Sequence, residues 1–190
     1  MRYTWKIGFS RMLNAGILAA CLLQPMVLQA NPKSYRAGRF PFQLDIPNDW
    51  QAAPGLYGMP VIFLGPEQKL GRRPAITVVP TGLKNFHYFD PKLMKADQNG
   101  FRTGREKWLQ KVHGHSLEYF PYQLTKWPSV SEVHSIGYKY RIGDLAQVEQ
   151  SYYLVCNGKL FFIKTLMLEQ HQTAYAPVMD RILKSFSCEN

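Results

Sequence analysis

Asn157-Gly158 divides the longest β-rich stretch of the chain, QVEQSYYLVCNGKLFFIKTLML over residues 147–168, and constrains the fold more than any other feature. A type I′ turn needs positive φ at both central residues, so an Asn-Gly pair between such runs predicts a two-residue hairpin. The second run, Lys159 to Leu168, is apolar on both sides of its alternation except at Lys164 and Thr165. A strand of that kind is covered on both faces and belongs in the middle of a sheet.

The first thirty residues have the three parts of a secretory signal peptide. Arg2, Lys6 and Arg11 stand in an acid-free segment, Met12 to Leu28 is mostly apolar, and Ala30 offers a small residue for cleavage. Two readings of this leader compete. Leu18-Ala19-Ala20-Cys21 resembles a bacterial lipobox, which would leave a lipoprotein anchored through Cys21. The residues that follow Cys21 are more apolar than a typical tether, which favours cleavage after Ala30. Both readings export the protein, to the periplasm or beyond. Residues 31–190 then form a single domain with room for one core.

Export gives the cysteines a meaning. With Cys21 removed or lipidated, Cys156 and Cys188 remain as an even pair in an oxidising compartment, and a disulfide between them is expected. It would pin the chain's end to the central hairpin; the competing reading is two free thiols. The formal charge is +10, of which the leader's three basic residues account for three, leaving +7. That balance suits an anionic partner, although the basic residues are dispersed and solubility alone would also account for them.

Along the remainder, residues 31–38 read as a polar lead-in and Arg39 to Ile46 as a first strand, with Pro41 arguing for an edge or a strand start. Gln51 to Met59 reads as a loop, Pro60 to Leu64 and Pro74 to Val79 as strands. Asp90-Pro91 has the form of an N-cap followed by proline at the first helical position. The helix it opens carries Met94, Phe101, Trp108 and Val112 at two-turn spacing with Leu109 alongside. Gly100 and Gly104 predict a break or two shorter helices. Strands follow at Ser116 to Leu124, interrupted by Pro121, and at Val130 to Ile142. A terminal amphipathic helix places Tyr175, Val178, Met179, Ile182, Leu183 and Phe186 on one face, with Pro177 in its first turn. Strand runs with segregated helices indicate an α+β domain: a mainly antiparallel, twisted sheet of six to seven strands with helices on its faces.

The strand running into Ile46-Pro47-Asn48-Asp49-Trp50, the paired late strands and the terminal Ile182-Leu183-Lys184-Ser185-Phe186 resemble the PsbP-like group of exported α+β domains, to which the bacterial DcrB-type envelope proteins are similar in fold. The resemblance implies a fold and non-enzymatic accessory or assembly roles. It supplies no catalytic residues.

The chain has no G-x-S-x-G, H-E-x-x-H, G-x-x-x-x-G-K-[ST] or C-x-x-C, so no cofactor or metal site is expected. His113-Gly114-His115 reads as a loop pair, since a zinc site needs three or four ligands. The hairpin register yields a sharper candidate. With Asn157-Gly158 as one turn and Gly143-Asp144 as the preceding one, His134, Tyr138, Glu149, Ser151 and Lys164 share one face of the sheet. A lysine in an apolar strand must snorkel, pair or shift its pKa. A structural ion pair is the plain reading of this cluster; a binding pocket and an acid/base site are the sharper ones. Tyr119, Tyr122 and Trp127 are the expected exposed aromatics.

The expected function is that of an exported, non-catalytic binding or accessory domain acting on an envelope protein or an anionic surface. Export makes nucleic acid an improbable partner, and membrane association would come through a lipid on Cys21. The rivals are a small hydrolase or lyase using the Tyr138/Glu149/Lys164 face and a secreted effector or inhibitor. A deep pocket at those three side chains would favour the enzyme, and a filled core there the binding domain.

Overall fold

A computed structural model describes residues 32–36, 42–56, 60–68, 71–81 and 89–189. The leader, with its Ala30 and Cys21 readings, lies outside them, as do Pro41 and His87.

Asn157 and Gly158 adopt φ 48° and 70°, the values a type I′ turn requires. They join β8 (Leu145–Cys156) to β9 (Lys159–Leu168), paired with Tyr153 opposite Phe162 and Ser151 opposite Lys164. Gly143-Asp144 links β7 (Val130–Ile142) to β8 equally tightly, so Tyr138 falls opposite Glu149 and His134 opposite Tyr153. Both turns therefore lie where the sequence puts them.

A second meander contributes β3 (Gln51–Pro54), β4 (Val61–Leu64) and β5 (Ala75–Pro80). The long β6 (Gly114–Trp127) forms the far edge. The seven strands run in the order β3-β4-β5-β9-β8-β7-β6, every neighbouring pair antiparallel, with β9 in the middle. That is the position the two-sided apolarity of β9 demands.

A smaller sheet, order β1-β2-β10, is added by β1 (Lys33–Arg36), β2 (Phe42–Ile46) and the two-residue β10 (Ser187–Cys188). It packs with the terminal helix α3 (Gln172–Lys184) over one face of the large sheet. Phe42 stacks on Phe186 and meets Phe161 edge-on, while Met179, Ile182 and Leu183 are buried in the same core. The opposite face is covered by α2 (Gln98–Lys111), which follows the short α1 (Pro91–Ala96). Asp90 caps α1 as expected, its Oδ1 accepting from the Lys92 amide at 2.8 Å. Cys156 and Cys188 are disulfide-bonded, with Cα atoms 5.6 Å apart, so the mouth of the hairpin is tied to β10. Asn157 reinforces the tie by donating to the Glu189 carbonyl at 2.7 Å.

Several sequence expectations are corrected. The polar lead-in holds β1 and the Pro/Gly-rich loop holds β3, because edge strands are secured by backbone ladders and need no apolar alternation. Of the two readings of the first strand, edge or strand start at Pro41, only the edge fails: β2 begins at Phe42 and lies between β1 and β10 in the separate small sheet. The helical break falls at Asp97, which ends α1 and opens α2, while Gly100 and Gly104 stay helical. Leu109, not Trp108, is the buried centre of α2. Pro121 does not end its strand. It sits at a register irregularity between Phe120 and Gln123 of β6, an edge strand where a missing N–H costs little. Pro177 lies in the second turn of α3, because a 3-10 turn at Glu169–His171 runs straight on into the helix. Trp127 is buried against Tyr152 and Phe186, so only Tyr119 and Tyr122 of the expected exposed aromatics are even half exposed.

Candidate functional site

On the α2-covered face, side chains two apart along β7 and β8 point the same way. His134, Tyr138 and Tyr140 therefore line up beside Glu149 and Ser151, with Lys164 next in line on β9. All five residues of the expected cluster are on one face. They are not one constellation, however: they divide into two groups.

The first group centres on Glu149, 3% exposed. Its Oε1 lies 3.3 Å from Arg105 Nη2 on α2, and its Oε2 lies 3.8 Å from Lys164 Nζ. A carboxylate out of water needs such compensation. Lys164 both snorkels and pairs, its side chain remaining 32% exposed. The Arg105 contact to Glu149 Oε1 is not an aligned hydrogen bond, and the fully buried Tyr138 and Ser151 hydroxyls make none among the described residues. Tyr138 stacks between Tyr119 and Tyr140, at centroid distances of 5.7 and 4.8 Å, and Phe101 meets it edge-on. The Arg105 guanidinium lies 5.1 Å over the Phe101 ring and 5.6 Å over the Tyr138 ring, a cation–π arrangement that holds it above the carboxylate. Burial, and next the Glu149 charge, push the Tyr138 hydroxyl far above its ordinary pKa, and the same two causes raise Tyr140. These phenols stay protonated at physiological pH, which disfavours a tyrosinate base.

The second group surrounds His134, fully buried. Its Nδ1 is 2.8 Å from the Tyr122 hydroxyl, and Phe89 packs on the ring at 4.9 Å. Burial lowers its pKa, opposed only partly by Glu132, whose Oε2 is 3.9 Å from Nε2. A neutral, walled-in imidazole of this kind fits a core role.

Sequence reasoning leaves Arg105 and Tyr140 unnamed and does not assign Phe101, Tyr119 or Tyr122 to this cluster. Tyr138 and Tyr140 share a face by simple alternation, and Phe101, Arg105 and Leu109 recur at four-residue spacing on α2, so both signals were present. In the second half of α2, Glu106 accepts from Ser116 Oγ at 2.5 Å and from the Tyr119 hydroxyl at 2.8 Å. Burial, then the bond to Glu106, push the Tyr119 pKa up to about 12. His113 lies in the turn before β6 and His115 is the second residue of that strand, opposite Arg141, so the two are not a loop pair. Among the described residues no three His, Cys, Asp or Glu side chains gather as a metal site.

No protein-family model matches the chain, and no curated protein sequence does. Its fold is found among solved structures. The cyanobacterial PsbP protein CyanoP of Synechocystis sp. PCC 6803 is similar with a TM-score of 0.58 at 16% identity, over 91% of this chain and 99% of that one. LpqN of Mycobacterium tuberculosis, involved in cell envelope biogenesis, is similar with a TM-score of 0.55 at 13% identity, over 83% of this chain and 90% of its own. The fold is PsbP-like, as the residues at the two ends of the domain imply. At these identities the likeness extends to the fold alone.

Proposed function

We propose that this protein is an exported, non-catalytic domain that binds a component of the cell envelope. One observation carries the non-catalytic half of this reading. The carboxylate, the lysine and the tyrosine that an acid/base site would use are taken up by the packing of α2 on the sheet. Glu149 is shared between two cations, and Tyr138 is sealed within an aromatic stack. A general acid or base must reach a substrate proton, whereas these groups hold two layers together. Export rests on the leader, and no helix of the described residues is long and apolar enough to cross a membrane. LpqN, on the same fold and involved in cell envelope biogenesis, lends the reading a precedent.

The test expresses the whole chain with its own leader, fractionates the cells and measures the intact mass of the product. The expected product is found outside the cytoplasm. It begins after Ala30 or carries lipid on Cys21, and crosslinking in intact cells captures envelope components with it. A cytosolic product retaining Met1, or turnover of a generic ester or glycoside panel that Glu149→Gln abolishes, would overturn the proposal.

A further inference from the structure

Residues 91–111 carry six basic side chains against two acidic ones, and the structure sorts them. The acid Glu106 turns inward to Ser116 and Tyr119. Arg105 turns inward to Glu149, and Arg102 lies 5.2 Å over the Tyr119 ring. Apart from Arg102, which remains exposed, the basic side chains left outside are lysines. Lys92, Lys95, Lys107 and Lys111 are all exposed and form no ion pair among the described residues. Beside them Leu93 is 68% exposed and Trp108 is 36% exposed, both large apolar groups on the surface.

We infer that the outer face of α1 and α2 docks on an anionic lipid bilayer. The inference rests on the envelope-binding reading above and names the partner. Arginine is the residue of fixed, bidentate recognition, and here Arg105 is committed to Glu149 while the exposed Arg102 leans on the Tyr119 ring. The lysines left outside are point charges on flexible stems, which follow a fluid array of phosphates without needing a matched partner geometry. Leucine and tryptophan among such lysines are the residues that settle at a headgroup boundary. The Glu149–Arg105 pair and the aromatic stack beneath fix α2 on the rigid sheet, so Lys107 and Lys111, four residues apart on that helix, are presented together.

The experiment uses the protein purified from cells that express the whole chain, in whatever processed form they produce. Its cosedimentation is compared between vesicles of pure phosphatidylcholine and vesicles half phosphatidylglycerol. Preference for the anionic vesicles is expected, falling steeply between about 0.05 M and about 0.5 M salt. A lipid on Cys21 would add equally to both vesicle types and leave the preference intact. Lys107→Glu/Lys111→Glu should weaken the preference at least tenfold, at roughly fivefold or more per cation, and Lys92→Glu/Lys95→Glu should do likewise. Lys33→Glu/Lys126→Glu, with the same change in net charge on exposed lysines elsewhere, should weaken it less than about threefold. Leu93→Ser should lower it without changing the salt dependence. Equal binding to both vesicle types, or equal loss in all the double variants, would overturn the inference. If vesicle binding fails while envelope capture succeeds, the binding reading stands with a protein as the partner, and the lipid assignment falls.

Discussion

Glu149 and Arg105 belong to different layers of the molecule, the middle of the large sheet and the helix that covers it, and their charged atoms meet 3.3 Å apart. The carboxylate is sealed and the guanidinium is partly wet, with side-chain exposures of 4% and 28%. That asymmetry governs what substitution will do. Removing the cation strands a buried anion, whereas removing the anion leaves a cation that can turn to water.

Arg105→Ala should therefore cost about 3 kcal/mol, near the lower end for breaking a buried pair because the guanidinium is not fully enclosed. Lys164→Met should cost no more than about 1 kcal/mol, since Lys164 is about a third exposed and its contact to Glu149 is longer. The double variant Arg105→Met/Glu149→Gln should recover most of the loss. Urea denaturation of the four proteins checks the order, and equal losses from Arg105→Ala and Lys164→Met would refute the layer-joining role assigned to Arg105.

Two glycines should respond in opposite directions to alanine. A Cβ at Gly104, on the outside of α2, would meet nothing within 4 Å. Gly104→Ala should stabilise by about 0.8 kcal/mol through helix propensity alone. A Cβ at Gly137, in the middle of β7, would stand 2.5 Å from the Glu149 carbonyl oxygen and 2.9 Å from the Phe120 ring. The first of these is backbone and cannot yield, so Gly137→Ala should destabilise by about 2–3 kcal/mol. Thermal melts of both variants against the parent test the pair.

Three adjacent strands of the large sheet, β7, β8 and β9, could be read from sequence because their determinants are local. Asn157-Gly158 and Gly143-Asp144 set the register of three strands by turn chemistry, and that register put Glu149 beside Lys164 without reference to the rest of the chain. What could not be read depends on tertiary placement. Lys33–Arg36 is polar throughout and becomes a strand only because β2 offers it a ladder. Arg105 has an ordinary surface character in a helix sequence, and its inward turn is legible only once Glu149 lies beneath it. Trp108 and Leu109 are adjacent apolar residues, and the docking angle of α2 decided which is buried.

The Cys156–Cys188 bridge closes a loop with a sequence separation of 32, for which chain-entropy reasoning gives about 3–4 kcal/mol. Cys188→Ser should lower stability by that order. It should also release β10 from the small sheet, since β10 meets β2 at only two residue pairs. Hydrogen exchange at Phe42 and Gln43 should quicken more than at Ile163 in the centre of the large sheet. Uniform quickening would show that the two sheets unfold as one unit and that the bridge has no local role.

His134 makes stability depend on pH with a definite sign. Its folded pKa lies below the ordinary histidine value because burial disfavours the imidazolium, so in the window between the two the unfolded chain binds a proton that the folded chain does not. Stability is then fully present above about pH 6.5 and is lost as pH falls toward the lower, folded pKa, by at most about 1.4 kcal/mol per pH unit for one proton. Glu132, exposed and 3.9 Å away, offsets little of this, and the Tyr122 hydroxyl carries no charge to help. His134→Gln keeps a hydrogen-bonding group near Tyr122 and removes the titration. Urea midpoints measured from about pH 7.5 to about pH 5 should decline for the parent and stay nearly flat for the variant. A parallel decline in both would assign the pH dependence to other groups.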